Sequence, residues 1–325
     1  MNSQTTHRGG HARRVIHFAI FAAMLACAFH LSAARVSAQS HTVFVEGNCD
    51  SPVPGANIVG TGGVCGDFDG DGRVGSAEDT DGADRIFGTI NAALSSGTGA
   101  AAGTGINHNG RVVIVTSGRF YESVFIGRTQ CVGCPGSANP GNVTLEAAPG
   151  VDAVIDAVFQ GDPTGGNDAR RASTGIAVAY LANTNMGLTR MVVLRNLTVR
   201  NFARGAEIAH NARVLIDNCR FENNLNYGIL LNFGSLAVIN NTQVSGTGFR
   251  TSGVTTSSPG HGISLESNAQ AKIVNSVSAH NLSAGVFNSG GAANLTLFKV
   301  GLYFNGTDIL GPFTATLEPN YSTTN

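Results

Sequence analysis

The acidic residues between positions 67 and 78 have the types and the spacing of a calcium-binding loop. The segment reads Asp-Phe-Asp-Gly-Asp-Gly-Arg-Val-Gly-Ser-Ala-Glu, so acidic residues stand at loop positions 1, 3, 5 and 12 and glycine stands at position 6. A twelve-residue loop with this spacing wraps Ca²⁺ with oxygen ligands and closes with a bidentate carboxylate. We therefore predict a Ca²⁺ site formed by the side chains of Asp67, Asp69, Asp71 and Glu78 and the backbone carbonyl of Arg73.

The loop resembles the calcium loops of EF-hand and dockerin proteins, with one departure. The glycine-rich segment 60–66 before it cannot form an entering helix, and the sequence contains no partner loop. The alternative interpretation is a solvated acidic turn. We expect an isolated site of this kind to stabilise the start of the following domain rather than to perform catalysis.

Five cysteines follow Ala38 and could form disulfides or reactive sites. In an oxidising compartment, Cys49 and Cys65 could close a loop around the N-terminal segment. Cys131 and Cys134 have a spacing used in redox and metal sites, but no second Cys or His pair completes such a site. A tight disulfide is therefore the favoured interpretation. Cys219 is predicted to be a buried thiol that packs as a small apolar side chain.

The elements that would position any reactive side chain are repeated segments between positions 191 and 309. Four glycines and four asparagines recur in one register: Gly205, Gly228, Gly262 and Gly285, and Asn196, Asn218, Asn241 and Asn275. The step within each series is nearly constant, with one exception. It is longer by the same amount between Gly228 and Gly262 and between Asn241 and Asn275. One coil therefore carries an insertion, after which the register resumes. A fixed period in the twenties is typical of a solenoid whose repeats stack.

The repeats are predicted to be β-strands rather than helices. Their apolar pieces, such as 213–216 and 236–239, are too short for an amphipathic helix and are rich in residues that suit a pleated surface. Asparagine tolerates the left-handed backbone conformation of a tight corner. We therefore predict that the four asparagines stack in a ladder of side-chain amide hydrogen bonds; the alternative is that Asn is only a common turn residue.

Segments 192–201 and 215–223 resemble right-handed parallel β-helix proteins of the pectin-lyase-like superfamily. Segments 112–124 and 143–156 are similar to the first two coils of such proteins. The resemblance covers about positions 85–310 and implies an all-β fold, a single right-handed parallel β-helix with coils of about 23 residues. Residues 83–94 carry a helical apolar stripe, which predicts the short helix that covers the N-terminal end of such a stack.

The segment 1–38 has the pattern of an export signal. Three arginines precede the apolar run 15–31, and a small-residue cleavage site ends at Ala38. We predict a secreted, periplasmic or cell-surface protein; the alternative, a membrane anchor, is disfavoured because His17 and His30 interrupt the run. The predicted organisation is a signal peptide at 1–38, an N-terminal segment at 39–84, a β-helix at 85–310 and a C-terminal tail at 311–325.

Composition and charge exclude some classes of partner. Only 13% of the residues are charged and 43 of 325 are glycine, which fits turns and stacked strands better than helices. Residues 39–325 contain 16 basic and 21 acidic residues, and no basic tract occurs there. The sequence therefore predicts no binding to nucleic acid and no stable membrane insertion.

The superfamily contains lyases, hydrolases, esterases, epimerases and many non-enzymes, so the resemblance by itself does not imply an activity. Segment 259–264 resembles the Gly-His-Gly motif of polygalacturonases, which makes His261 a catalytic candidate. The other signature segments of that family are absent, and His261 falls where the neighbouring coil has Tyr227. Segment 118–122 resembles a pectin methylesterase pattern, but the paired aspartates expected downstream are missing.

An arginine row is the second catalytic possibility. Lyases and epimerases need cations that neutralise a uronate beside a base. Four arginines could line one face of the stack: Arg195, Arg200, Arg204 and Arg220. His210 or His280 would then serve as the base. The alternative is that these arginines are solvated on the surface.

Two functions follow. The leading hypothesis is a non-catalytic extracellular protein that binds polysaccharide or serves as a surface scaffold, with Tyr227 and Phe233 among the side chains that contact sugar rings. The alternative is a pectin-lyase-like lyase, hydrolase or epimerase that acts on an acidic polysaccharide, with His261, His210, Arg195 and Arg200 as candidates. An enzyme would need a cleft in which the insertion at 246–258 overhangs a His and several charged groups.

Overall fold

The computed structural model describes residues 42–45, 86–87, 89–94, 106, 109–127, 142–157, 173–179, 190–248, 259–289, 294–311, 314–317 and 322–324. The chain divides into two units, Met1–Ser40 and His41–Asn325, and every described residue belongs to the second. In these described residues, no helix has the length and apolar character needed to cross a bilayer.

Three parallel sheets, here named A, B and C, make up the fold, with strands numbered in chain order. Sheet A consists of β2 (Ile86–Phe87), β1 (Thr42–Val45), β3 (Gly110–Ile114), β6 (Val143–Ala147), β9 (Val192–Arg195), β12 (Arg213–Asp217), β15 (Leu236–Asn240), β18 (Gln270–Val274), β21 (Asn294–Phe298) and β24 (Thr314–Leu317). Sheet B consists of β4 (Gly118–Phe120), β7 (Ala153–Asp156), β10 (Leu197–Arg200), β13 (Arg220–Glu222), β16 (Gln243–Ser245), β19 (Val277–Ala279), β22 (Gly301–Tyr303) and β25 (Ser322–Thr324). Sheet C consists of β5 (Val124–Gly127), β8 (Thr174–Ala179), β11 (Arg204–Ile208), β14 (Tyr227–Leu231), β17 (His261–Leu265), β20 (Ala284–Asn288) and β23 (Thr307–Leu310).

From β3 onwards, each coil of the chain contributes one strand to sheet A, then one to B, then one to C. Strands of successive coils pair in register, so Ile216 lies beside Ile239 and Ile239 beside Ile273. The extra residues of the longer step lie between β16 and β17, at the corner between sheets B and C. The predicted parallel solenoid is therefore confirmed, and so is the position of its insertion.

The core consists of columns of aliphatic and aromatic side chains that point into the stack. Alternation along each strand places one residue inside and the next outside. Ile216, Ile239 and Ile273 are fully buried in sheet A, and the aligned pair Phe221 and Val244 is fully buried in sheet B. One coil could not bury these side chains alone, whereas stacked coils form one continuous core.

The sheets extend beyond the predicted limits of 85 and 310. At the start, β1 pairs with β3 and belongs to the first coil of sheet A. At the end, β24 pairs with β21 and β25 pairs with β22, in the segment predicted to be a C-terminal tail. These strands were not predicted because the segment has only a weak apolar pattern. Backbone pairing to a preceding coil does not require large side chains.

The predicted N-terminal helix is present but shorter than expected. Helix α1 spans Ile90–Leu94, whereas Ile86–Phe87 forms strand β2 and pairs with β1. Ile90 and Leu94 are buried, and both carboxylate oxygens of Glu122 accept hydrogen bonds from the helix N-terminus, from the Ile90 N–H at 2.8 Å and the Asn91 N–H at 2.9 Å. Pairing with β1 provides hydrogen-bond partners for the backbone of residues 86–87. These residues therefore form a strand, although the apolar pattern predicted a helix.

The asparagine ladder at the corner between sheets A and B is confirmed for three of its four members. Asn218 donates to the side-chain oxygen of Asn196 at 2.8 Å, and Asn241 donates to Asn218 at 2.9 Å. Asn275 instead donates to Asn240 at 3.4 Å. The four ladder residues have φ between 48° and 58°, so their left-handed conformation is as predicted.

The repeated glycines line up along sheet C because the backbones of neighbouring coils approach closely there. A Cβ on Gly228 would lie 2.6 Å from the Gly262 carbonyl oxygen and 2.2 Å from a methyl of Val244. The same clash with the next glycine's carbonyl holds for Gly175, Gly205 and Gly262, so the row begins one coil earlier than the sequence indicated.

Several predicted features lie outside the described residues. These are the export signal, the calcium loop 67–78, the cysteines at 49, 65, 131 and 134, and residues 249–258 of the insertion.

Candidate functional site

The outer surface of sheet C combines aromatic and titratable side chains. We call it the sheet C face and define it by the outward side chains Arg204, Glu207, Tyr227, His261, Ser264 and Phe287, together with Glu266, which follows β17. Register places Tyr227 directly between Arg204 and His261 on neighbouring coils, and Ser264 beside Phe287. The face results from the repeat. Each of these residues lies a set number of positions along the sequence from a repeated glycine, so stacking of the coils brings them together.

His261 is a buried titratable side chain of this face, with 6% of its surface exposed. Its ring stacks on Phe287 at a centroid distance of 4.2 Å, and the Tyr227 ring lies 6.1 Å away. Burial lowers the pKa of His261, so the imidazole is neutral at neutral pH. In the described part of the chain its Nδ1 has no hydrogen-bond partner.

Tyr227 and Glu266 form the polar centre of the face. The phenol of Tyr227 hydrogen bonds to the carboxylate of Glu266, and Ser264 Oγ donates to Glu266 Oε1 at 3.3 Å. Burial raises the pKa of Tyr227, and the negative charge of Glu266 and the hydrogen bond to it raise this pKa further. Tyr227 therefore stays protonated and can donate to an oxygen acceptor.

Arg204 and Glu207 form the second polar group. Arg204 Nη1 lies 3.5 Å from Glu207 Oε2, and Thr174 Oγ1 donates to the same oxygen at 3.2 Å. Arg204 is the only Arg or Lys in the described strands of sheet C. Glu207 and Glu266 therefore leave this surface with an excess of negative charge.

Two exposed aromatic stacks flank sheet C. At the corner after the sheet, Phe233 stacks on His210 at 4.7 Å, and half of Phe233 is exposed. At the corner before the sheet, Phe304 stacks on His280 at 4.9 Å and is 72% exposed. Each stack joins equivalent positions of two successive coils, and all four residues have positive φ. Aromatic rings are thus presented across sheet C and at both of its edges.

The structure does not bring the predicted arginine row together. Arg195 lies on sheet A, Arg200 and Arg220 lie on sheet B, and Arg204 lies on sheet C. The prediction of one arginine face is therefore wrong, because corners of the stack lie between Arg195 and Arg200, at Asn196, and between Arg200 and Arg204, at Asn201.

Each of these arginines pairs with carboxylates of its own sheet. Arg195 Nε lies 3.0 Å from Asp217 and its Nη1 lies 3.3 Å from Glu146. Arg200 lies 2.8 Å from Asp156, and Arg220 lies 2.6 Å from Glu222. His210 and His280, the proposed bases, lie at two different corners. These groups stabilise the outer surfaces of sheets A and B rather than forming one anionic-ligand site.

Sequence reasoning missed Glu207, Glu266 and Phe287 as members of the face. The glycine register contained the signal, because residues at the same offset from successive glycines must stack on one sheet. That register correctly placed His261 beside Tyr227. Glu207 and Phe287 each lie two residues after a glycine of the row, so the same register also places them on this face.

Potential metal ligands and the one described cysteine lie as follows. Among the described residues, no three His, Cys, Asp or Glu side chains are placed to hold a metal ion. Cys219 is buried as predicted, and burial raises the pKa of its thiol to about 12. Its Sγ–H contacts the carbonyl oxygens of Leu194 and Asp217 at 3.5 and 3.4 Å.

Comparisons with known proteins concern the fold. Residues 166–303 match a family model described as a right handed beta helix region. The comparison with curated proteins finds no match. Among solved structures, the chain is similar to the crystal structure of pectate lyase Pel9A, with 15% sequence identity, a TM-score of 0.30, and coverage of 66% of this chain and 70% of that chain. A similarity of this level carries no argument about activity.

Proposed function

We propose that this right-handed parallel β-helix of the pectin-lyase-like type is an extracellular polysaccharide-binding protein and that the sheet C face is its binding surface. The proposal is for binding without catalysis. It rests on the arrangement of aromatic rings, on the charge of the face and on the hydrogen bonds that its carboxylates already make.

The aromatic arrangement is the observation that carries the proposal. Tyr227, His261 and Phe287 lie on consecutive coils, and Phe233 and Phe304 are exposed at the two edges of the same sheet. Aromatic rings offer large apolar faces at a low cost in conformational entropy, and Tyr adds a hydroxyl. Pyranose rings present C–H groups on one face and hydroxyls around the edge, which such a surface matches.

The charge of the face favours a neutral polysaccharide. Uronate carboxylates need unpaired cations, but Arg204 already pairs with Glu207, and Glu266 adds further negative charge. A polyuronate would therefore meet electrostatic repulsion at this surface. Sugar hydroxyls can instead donate to the remaining acceptor sites of Glu266 and to the phenol oxygen of Tyr227.

The alternative is a carbohydrate-active enzyme, and one observation favours it. The neutral His261, whose Nδ1 lacks a partner among the described residues, lies beside the Tyr227 phenol, and such a pair could transfer a proton. Against this alternative, Glu266 already accepts from Tyr227 and Ser264, and Glu207 accepts from Thr174 and pairs with Arg204. Neither carboxylate is left as an acid or base.

A glycan-binding assay on the full mature chain tests the proposal. Neutral β-glucan, xylan and mannan are compared with polygalacturonate and alginate. We expect binding to at least one neutral glycan, weakened about ten-fold by Tyr227→Ala or Phe287→Ala, because losing one buried aromatic contact costs on the order of 1–2 kcal/mol. Val238→Ala, an exposed apolar position on sheet A, is the matched control.

The same samples are assayed for new reducing ends and for unsaturated products. Binding only to the uronate polymers would overturn the proposal, and cleavage of any glycan that is lost in His261→Ala would favour the enzyme instead. Melting curves of each variant separate lost binding from lost folding.

A further inference from the structure

A groove of about 700 Å³ runs along the corner between sheets A and B, away from the sheet C face. Its floor is the asparagine ladder, with Asn196, Asn218, Asn241 and Asn275 on successive coils. One side is formed by outward residues of sheet B: Thr198, Arg220, Gln243 and Val277. Its volume falls in the range of ligand-binding clefts in proteins.

A projecting turn closes one end of this groove. In the coils from β9 to β22, the chain crosses from sheet A to sheet B through one or two residues, whereas residues 148–152 take five. This turn stands over Asn196, whose side chain donates to the Ala147 carbonyl at 3.1 Å. Val151 packs against the core and the Asp152 N–H donates to Ser117 Oγ at 2.9 Å, so the turn is held in place.

The ladder amides retain hydrogen-bonding capacity toward the groove. A side-chain amide can donate two and accept two hydrogen bonds. Asn218 uses one donor toward Asn196 and one acceptor site toward Asn241, and both Asn218 and Asn241 are exposed. The exposed amide of Gln243 stands beside them. The one cation, Arg220, pairs with Glu222 at 2.6 Å, so the lining suits a neutral ligand rich in hydroxyls.

The spacing of the amides selects the kind of polymer. Neighbouring coils are about 4.8 Å apart, so one amide is offered per coil at that interval. An extended peptide presents groups on one side every two residues, about 6.6 Å, and loses register after one coil. A chain of pyranose rings carries hydroxyls on every ring and advances by a distance comparable to one coil.

We propose that the groove is a second glycan-binding site, which takes a neutral polysaccharide chain lying along the axis of the stack with one end against residues 148–152. The site is independent of the sheet C face. With two such surfaces on different sides of the stack, one molecule would be able to hold two glycan chains.

The test follows the side-chain amide signals of Asn218, Asn241 and Gln243 by NMR while cellohexaose, xylohexaose or mannohexaose is added to the full mature chain. We expect one of these probes to shift the three signals together. Gln243→Ala should weaken that binding about five-fold, as for one lost hydrogen bond, and Gln243→Trp, which fills the groove, should abolish it.

Gln270→Ala, at an equally exposed glutamine on the outer surface of sheet A, is the matched control and should change nothing. Tyr227→Ala should leave the shifts of the groove amides intact even where it removes binding to the sheet C face, so failure of one site is distinguishable from failure of the other. The inference is overturned if no probe shifts the three amides, if Gln270→Ala weakens binding as much as Gln243→Ala, or if only an extended peptide shifts them.

Discussion

At the scale of single residues, the sheet C face is determined by which polar side chains are enclosed and which are paired. His261 is enclosed by Phe287 and Tyr227, whereas Glu266 and Glu207 are held by hydrogen bonds. An enclosed imidazole is easier to keep neutral than charged, because the charged form loses more hydration. The proposal that this face binds uncharged ligands therefore depends on the state of its individual side chains.

The titration of His261 tests this description. Its pKa in the folded protein should lie below the ordinary value of about 6.5. Below pH 6.5 the unfolded chain then binds more protons than the folded one, so the free energy of unfolding should fall as the pH falls toward the lowered pKa, and level off beneath it. NMR titration of the His261 ring and denaturant unfolding at several pH values measure both effects.

His261→Phe is the control, since it keeps a stacked ring beside Phe287 and removes the titrating group. In this variant the free energy of unfolding should decrease less as the pH is lowered, because the contribution of His261 is absent. A pKa of His261 at or above 6.5 would contradict the enclosed, neutral imidazole.

At the scale of elements, the corners of the coils specify the register of the strands. Asn218 and its neighbours adopt a left-handed conformation that most residues disfavour, and they add hydrogen bonds between coils. The glycine row does the same for sheet C, because any side chain there would strike the next coil. The asparagine ladder and the glycine row both act between coils. Each therefore has its largest effect in a coil that has another coil on both sides.

Replacing one ladder residue should destabilise the stack measurably. Asn218→Ala loses two side-chain hydrogen bonds and places alanine at a φ of 54°, so we expect a loss of about 2–4 kcal/mol in the free energy of unfolding. Asn268→Ala is the matched control, because Asn268 is exposed with a φ of 63° and lies outside the ladder. Equal losses for the two variants in denaturant unfolding would show that the ladder bonds contribute nothing.

A methyl group on the glycine row should cost more than backbone strain alone. Gly228→Ala forces a Cβ against the Gly262 carbonyl and Val244, and we expect a loss of more than about 3 kcal/mol, measured by thermal unfolding. Gly150→Ala has open space around the new Cβ and only a φ of 81° to accommodate, so its loss should be about 1–2 kcal/mol. A Gly228→Ala protein as stable as Gly150→Ala would mean that neighbouring coils are not as close as described.

At the scale of the whole molecule, the three outer surfaces of the stack have different chemistry. Sheet A carries an alternating row in which Arg111 and Arg195 contact Glu146 and Arg195 also contacts Asp217. Sheet B pairs Arg200 with Asp156. Sheet C instead carries aromatic rings and a negative excess. Sheets A and B thus carry arginine–carboxylate pairs, whereas the two proposed binding surfaces are sheet C and the corner groove.

Calcium binding by loop 67–78 remains a prediction for the molecule as a whole. Ca²⁺ that binds only the folded chain should raise the melting temperature, by the equivalent of about 2.7 kcal/mol when its free concentration is 100 times Kd. Glu78→Gln removes the bidentate ligand and should abolish this effect, whereas Asp162→Asn, an acidic residue outside the loop, should not. An identical melting temperature with calcium and with chelator would exclude a site in this loop that is linked to folding.

The fold was accessible from the sequence because its information is local and repeated. The offsets of Gly228 to Gly262 and of Asn218 to Asn241 encode the coil, the insertion and the corner conformation. Short apolar pieces at the same offsets then encode the buried columns. The constant spacing of a few residue types shows which positions align in successive coils, and parallel stacking follows from it.

The sites were decided by the tertiary structure. Arg195 and Arg200 are close in sequence but lie on different sheets, because the left-handed corner at Asn196 lies between them. Tyr227 and Glu266 are far apart in sequence but share a hydrogen bond, because two coils bring them together. Which side chains meet depends on where each corner turns and how far each turn projects, as at residues 148–152, and the period of the repeat does not contain that information.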